Sequence, residues 1–312
     1  MNLLKWLLLQ RFKSSKKQQK PGGFTLLELL VALILAALVI TPLLGFMVNI
    51  MLTDHQEQAK ATSEQELKSA LDFMTRDLQQ AVYIYDADGI NAIRSQLPKY
   101  SQKTQYFPVL VFWKRQFIPS GITVTGGSND TFVYSLVAYY LIQDNNPLWS
   151  NAARIGRFQI SNGYGSTTTA INSTRDPGFQ LFNLQNSGTL KSKMDAWQAM
   201  SGESYTQDIL PLIDYVDQTA INTTTNPAPT CSIGQMVPNY SGTSGDSVPT
   251  GSTITRGFYV CVDSTNTIAQ IYLRGNALAR LQNSNFNFNG GNKFYFPQFS
   301  RQVQGHGFVF TK

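Results

Sequence analysis

Gly22-Gly23-Phe24-Thr25-Leu26-Leu27-Glu28-Leu29-Leu30 opens an apolar run that continues to Leu52 with no further charged side chain. From Leu29 to Leu52, about 24 residues at a helical rise of about 1.5 Å reach about 36 Å, enough to cross the hydrocarbon core of a bilayer. Glu28 is the one carboxylate at the start of the run. Six cations precede it (Lys5, Arg11, Lys13, Lys16, Lys17 and Lys20), and no anion does. The positive-inside rule then leaves the N-terminus cytoplasmic and everything beyond Leu52 outside.

Three readings compete for this stretch. A cleaved secretory signal needs an apolar core of roughly 7 to 15 residues and a small-x-small cleavage site; this run is longer and lacks that site. A plain membrane anchor fits the length but gives no reason for Gly22-Gly23 or for Glu28. The third reading accounts for both, because Gly23-Phe24-Thr25-Leu26-Leu27-Glu28 resembles the processing site of a type IV prepilin. That resemblance implies a membrane peptidase cutting after Gly23, with Phe24 as the mature, N-methylated terminus. Glycine before the cut offers no side chain to obstruct a protease and leaves the helix unformed there. Removing the leader also removes the charges that pin the helix end to the cytoplasmic face. An unpaired carboxylate in apolar surroundings costs several kcal/mol, so Glu28 needs a partner. The new amine of Phe24, on a neighbouring subunit, is the expected one and would set filament register. The plainer alternative is a carboxylate that snorkels to the headgroups.

Charge supports the same division. The chain has 25 Lys plus Arg against 19 Asp plus Glu, and subtracting the six leader cations leaves 19 against 19. The mature chain is neutral, so the alkaline pI of the whole chain belongs to the leader, is no nucleic-acid signature, and no nucleic-acid partner is expected. About 230 residues remain for a head, enough for a proper core.

Along the chain, Met1 to Leu9 form an apolar patch too short to span, and residues 13–20 are basic and polar without a packing pattern. Pro42 lacks an N–H and Gly45 loosens the helix further, so a kink or local melting is expected there. Past Leu52 no Pro or Gly occurs until Gly89, which predicts that the helix continues over 53–88. Leu67, Leu71, Met74, Leu78 and Val82 give it an apolar stripe. The head, 89–312, reads as strand-rich, with strands expected at Val109–Trp113, Phe132–Ile142, Arg154–Ile160, Gly257–Val262, Ile268–Leu273 and Lys293–Phe296. A short helix is expected at Asp195–Met200. Residues 161–178 and 219–256 are turn-rich and read as long surface loops.

Cys231 and Cys261 are the two cysteines, in a region placed outside the cytoplasm. A disulfide closing about 30 residues would contribute about 3 to 4 kcal/mol on the chain-entropy model; two unlinked thiols, with Cys261 buried in its strand, are the alternative.

Catalytic chemistry is thin. His55 and His306 are the only histidines and lie far apart in sequence, so neither a His-based triad nor a His-rich metal site is visible. Asp86-Ala87-Asp88-Gly89 has the start of a calcium loop but not its later ligands. Asp208, Asp214 and Asp217 would need a set separation to hydrolyse glycosides; capping and turn roles suit them better. No cofactor, metal site or catalytic residue is assigned, and the chain reads as non-enzymatic.

Four stretches sharpen the resemblance: the leader, the Gly-Gly-Phe-Thr-Leu-Leu-Glu-Leu-Leu segment, Glu64-Gln65-Glu66-Leu67 through Asp88-Gly89, and Tyr272-Leu273-Arg274-Gly275-Asn276-Ala277-Leu278-Ala279-Arg280. Together they look like the hormogonium polysaccharide secretion pseudopilins of filamentous cyanobacteria. The resemblance implies a pilin-like α+β fold, with the long N-terminal helix laid on an antiparallel sheet, and a C-terminal disulfide-bounded loop. In that family a mid-helix weak point lets the stem stretch, and Pro42 is the matching position. It further implies a minor subunit of a type IV pilus-like apparatus serving polysaccharide export and gliding. Its partners would be prepilin peptidase, other major and minor pilins, an inner-membrane platform and an assembly ATPase. The chain would sit in the inner membrane with a periplasmic or extracellular head. Alternatives are a minor pseudopilin of type II secretion, or a tip adhesin or polysaccharide receptor. In the receptor reading Tyr139, Tyr140, Trp149, Tyr164 and Trp197 are candidates to stack on sugars.

Overall fold

Thr25 ends the extended approach to a helix, α1 (Leu26–Gln79), whose first half is apolar on every side and exposed throughout. The computed structural model describes residues 23–164, 175–239 and 255–307; residues 1–22 of the predicted leader, Gly22 included, therefore lie outside the described residues. The chain divides into two compact units at Asp54 and His55, and each is considered by itself.

In the first unit the helix is unbroken through Pro42 and Gly45. The Thr41 hydroxyl donates to the Ala37 carbonyl at 2.7 Å, one residue before Leu38, whose carbonyl Pro42 has no N–H to serve. No melted turn is present there.

In the second unit the rest of α1 is amphipathic, and Leu67, Ala70, Leu71, Met74 and Leu78 enter the main core. The helix stops at Gln79, short of the predicted 53–88, and Ala81–Ile84 form strand β1. Val82 is buried in that strand and does not extend the helical stripe. Absence of Gly and Pro permits a helix without compelling one, and Val82-Tyr83-Ile84-Tyr85 carries the β-branched and aromatic side chains that a buried strand favours.

A short helix α2 (Ala87–Ile93) follows, capped by Asp86, and then a long hairpin of β2 (Tyr106–Val124) and β3 (Gly127–Ile142). β4 (Ala153–Ser161) and β5 (Leu210–Val216) complete an antiparallel sheet in the order β1-β2-β3-β4-β5, and helix α3 (Leu190–Asp195) lies between those two in sequence. A second antiparallel sheet has the order β6-β7-β8-β9, from Gln235–Val237, Phe258–Asp263, Ile268–Arg274 and Gln298–Gln304. Both sheets and the α1 stripe share one apolar core, with Trp113 packed edge-on against Phe179, Phe182 and Trp197. This is the expected α+β, pilin-like arrangement.

The head departs from expectation in details. Lys293–Tyr295 is a 3-10 turn, not a strand, and the short helix is Leu190–Asp195, not Asp195–Met200. Thr189 decides the second point, because its hydroxyl accepts the Ser192 N–H and so caps the earlier segment. The predicted loop 219–256 contains β6. Cys231 and Cys261 are joined in a disulfide that ties the chain before β6 to β7.

β2 and β3 outrun their neighbours. β1 pairs with β2 no further along than Lys114, and β4 pairs with β3 only from Ser135. Residues 116–124 and 127–133 therefore form a two-stranded arm, and no further strand pairs with their outer edges among the described residues. Near its base Phe117 and Phe132 meet edge-on at 5.3 Å, and Arg115 lies 3.8 Å over the Phe132 ring. At Pro119-Ser120-Gly121 the arm bulges, and Asp130 accepts the Ser120 N–H at 2.8 Å.

Candidate functional site

The candidate assembly site is built where α1 begins. A helix start leaves several N–H groups without intrahelical acceptors, and a Thr three residues before a Glu can satisfy two of them reciprocally. Thr25 and Glu28 do this. The Thr25 N–H and hydroxyl both donate to Glu28 Oε2 at 3.1 Å, and the Glu28 N–H donates to Thr25 Oγ1 at 3.2 Å. The helix proper opens with the Leu29 N–H bonded to the Thr25 carbonyl at 3.1 Å. Glu28 thus has neutral donors from its own chain, close to where the positive end of the helix dipole favours an anion. Thr-x-x-Glu is itself a capping signature, so Thr25's role was open to reading from the residues. Phe24, immediately before the cap, is 85 % exposed, and a side chain added at Gly23 would meet nothing within 4 Å. The Gly23–Phe24 bond stands clear of packing, as a peptide bond offered to a protease must.

Beyond the cap the helix presents Leu, Val and Ile to the exterior on all sides as far as Leu52. It is the one helix among the described residues long and apolar enough to cross a membrane.

The head holds its own polar cluster at the far end of α1. Asp77 is buried and accepts from Lys114 Nζ at 2.7 Å, from Arg157 Nε at 2.8 Å and from the Tyr139 hydroxyl at 2.7 Å. It therefore ties the helix to β2, β3 and β4 at once. Burial works against the charged carboxylate, but Arg157 and Lys114 outweigh it and hold the Asp77 pKa below the ordinary carboxylate value. Burial and the adjacent Asp77 push the Tyr139 hydroxyl up. A second buried pair joins Arg274 on β8 to Asp217, with Arg274 Nε donating at 2.7 Å and Nη2 also donating to Asn226 Oδ1 at 2.8 Å. Sequence reasoning missed both pairs, because their members are separated by long stretches of chain.

Several of the candidate groups in the head carry structural duties, while Asp208 lines an open pocket. Asp86 caps α2 by accepting the Gly89 N–H at 2.9 Å, and it is also engaged by Lys191 and Ser264. No group of three or more His, Cys, Asp or Glu side chains fit to hold a metal occurs among the described residues. Asp217 is consumed by Arg274, and Asp214 accepts from the Ser150 N–H and hydroxyl. Of the aromatic candidates, Tyr139, Tyr140 and Trp197 are core residues, while Trp149 and Tyr164 reach the surface.

With this geometry in view the comparisons are specific. The family profile for the prokaryotic N-terminal methylation motif matches residues 19–44, which span the Gly23–Phe24 bond, the Thr25–Glu28 cap and Pro42. No curated protein and no solved structure matches the chain. The chain carries a type IV pilin-type prepilin signal on a pilin-like fold, which supports processing by prepilin peptidase and assembly with other pilins in general terms. An exposed apolar helix directly after that signal fits a membrane-anchored pilin.

Proposed function

We propose that this chain is a minor pseudopilin, a non-enzymatic subunit of a type IV pilus-like apparatus. In this reading residues 1–23 are removed by prepilin peptidase, Phe24 becomes the methylated terminus, and residues 24–52 form the assembly helix. An inner-membrane platform and its ATPase then draw the stem from the bilayer into a filament of mixed pilins. Glu28 neutralises the Phe24 amine, with Thr25 holding the carboxylate at the helix start. Pro42 and Gly45 are the points at which the stem can stretch on packing. The head faces the periplasm or exterior, and its size suits a tip or priming position, since a bulky head is hard to repeat along a thin filament. Service in polysaccharide export and gliding rests on the family resemblance.

The observation that carries the reading is the methylation motif over 19–44 lying on an exposed apolar helix that opens with the Thr25–Glu28 cap. N-terminal sequencing and intact mass of the protein recovered from membranes test it. The expected product begins at Phe24 and carries one added methyl group. A chain still starting at Met1, or cut beyond the apolar run, overturns it.

A further inference from the structure

Trp149 stands where two open pockets meet. The larger, about 740 Å³, lies between one face of the second half of α1, including Gln65 and Ser69, and strand β5. The smaller, about 340 Å³, is lined by Asn151 and Gln282 among others, and Trp149, Asp214 and Tyr215 line both. Pockets of this size accommodate small ligands or a few rings of a longer one.

The indole is 41 % exposed, and the Arg154 guanidinium lies 5.5 Å over its ring. Arg154 is itself buried and paired with Asp144. The ring is therefore backed by a fixed cation, which reduces the entropy lost when a ligand stacks on its remaining surface. The charges around it are balanced: Glu66 is paired with Arg280, Asp214 is engaged by Ser150, and Arg76 stands on the same wall. Thr62, Gln65 and Ser69 set polar groups into the largely apolar wall of the larger pocket, and Asn151, Gln282 and Asn283 supply amides to the smaller one.

We infer that this cleft binds a neutral glycan chain, one sugar ring stacking on Trp149 and neighbouring rings donating to and accepting from the amides on either side. The apolar face of a pyranose suits an indole, and its hydroxyls suit Gln65, Asn151 and Gln282. An extended peptide fits less well. Pro211 has no N–H to offer an added strand, and the Tyr215 carbonyl already accepts the Asn276 N–H at 2.7 Å. This binding role goes beyond assembly and does not depend on it.

The test uses the full chain in lipid nanodiscs, titrated calorimetrically with linear hexasaccharides of glucose, mannose and galactose, and with a uronate hexasaccharide and an extended hexapeptide as comparators. Saturable binding of at least one neutral hexasaccharide is expected, weakened tenfold or more by Trp149→Ala and only a few-fold by Trp149→Phe. Gln282→Ala, on the rim, should weaken it a few-fold with an unchanged melting temperature, so the inference stands or falls even if Trp149→Ala misfolds. The idea is overturned if no neutral hexasaccharide binds at millimolar concentration, if the variants bind as tightly as the parent, or if either comparator binds more tightly. The mature N-terminus is read separately, so failure here leaves the assembly reading intact.

Discussion

Glu28 and Asp77 are acidic residues on the same helix, α1, and they are satisfied in different ways. Glu28 sits on the exposed stem and takes its hydrogen bonds from Thr25, three residues away. Asp77 is buried in the head and takes its own from Lys114, Tyr139 and Arg157, at separations of 37, 62 and 80 residues. A carboxylate served by its own helical turn needs no tertiary structure around it, so the stem can leave one environment for another and keep the cap. A carboxylate served by three strands keeps its hydrogen-bond and ion-pair partners only while those strands are assembled. The stem is built to be transferred, and the head to be self-sufficient.

The strongest test of this contrast lies at the stem. Gly23→Trp should leave full-length protein in the membrane and none in a sheared filament fraction, while the head's melting temperature stays unchanged. Normal processing of that variant would break the prepilin reading. Glu28→Ala should be cleaved normally yet fall on the order of tenfold in the filament fraction, by immunoblot; equal assembly would show that the carboxylate has no role in register. In the head, Asp77→Ala strands Lys114 and Arg157 and should lower stability by about 3 to 5 kcal/mol in denaturant titrations, with processing intact. Opening the Cys231–Cys261 bridge by Cys231→Ser should remove about 3 to 4 kcal/mol, and reductant should destabilise the parent but not the variant.

The smallest effect concerns pH. The Asp77 pKa is depressed in the folded head, so its contribution is present above its unfolded value of about 3.9 and is lost as pH falls through the folded value. Asp144 is depressed too: burial opposes the shift, but Tyr106 and Arg154 outweigh it, and it adds in the same direction. The melting temperature should therefore fall below about pH 4, and less steeply in Asp77→Asn.

What was legible in the sequence follows the range of the interactions. The apolar run, its leader charges and the Gly23–Phe24 junction are local patterns and could be read directly. Strands β4, β7 and β8 carry compact apolar runs and were placed to within a residue or two at each end. β9 was missed because Gln298-Phe299-Ser300-Arg301-Gln302-Val303-Gln304 is mostly polar and becomes a strand through pairing with β8. β5 begins with a Pro-containing segment and likewise depends on β4. The Asp77 and Asp217 ion pairs were invisible because no residue near either in sequence announces its partner. In the stem, Thr-x-x-Glu was fully local and was read for processing and filament register but not as a helix cap.

The arm of residues 116–124 and 127–133 bears on how the head opens. Among the described residues its ladder is shared by two strands only, so its amides can open to solvent without disturbing the core that the sheets enclose. In free-energy terms it is a separate opening unit with a lower threshold than the sheet from which it extends. The Pro119–Gly121 bulge interrupts the β2 edge of that unit, so when it loosens it presents one continuous edge and not two for mispairing with another chain.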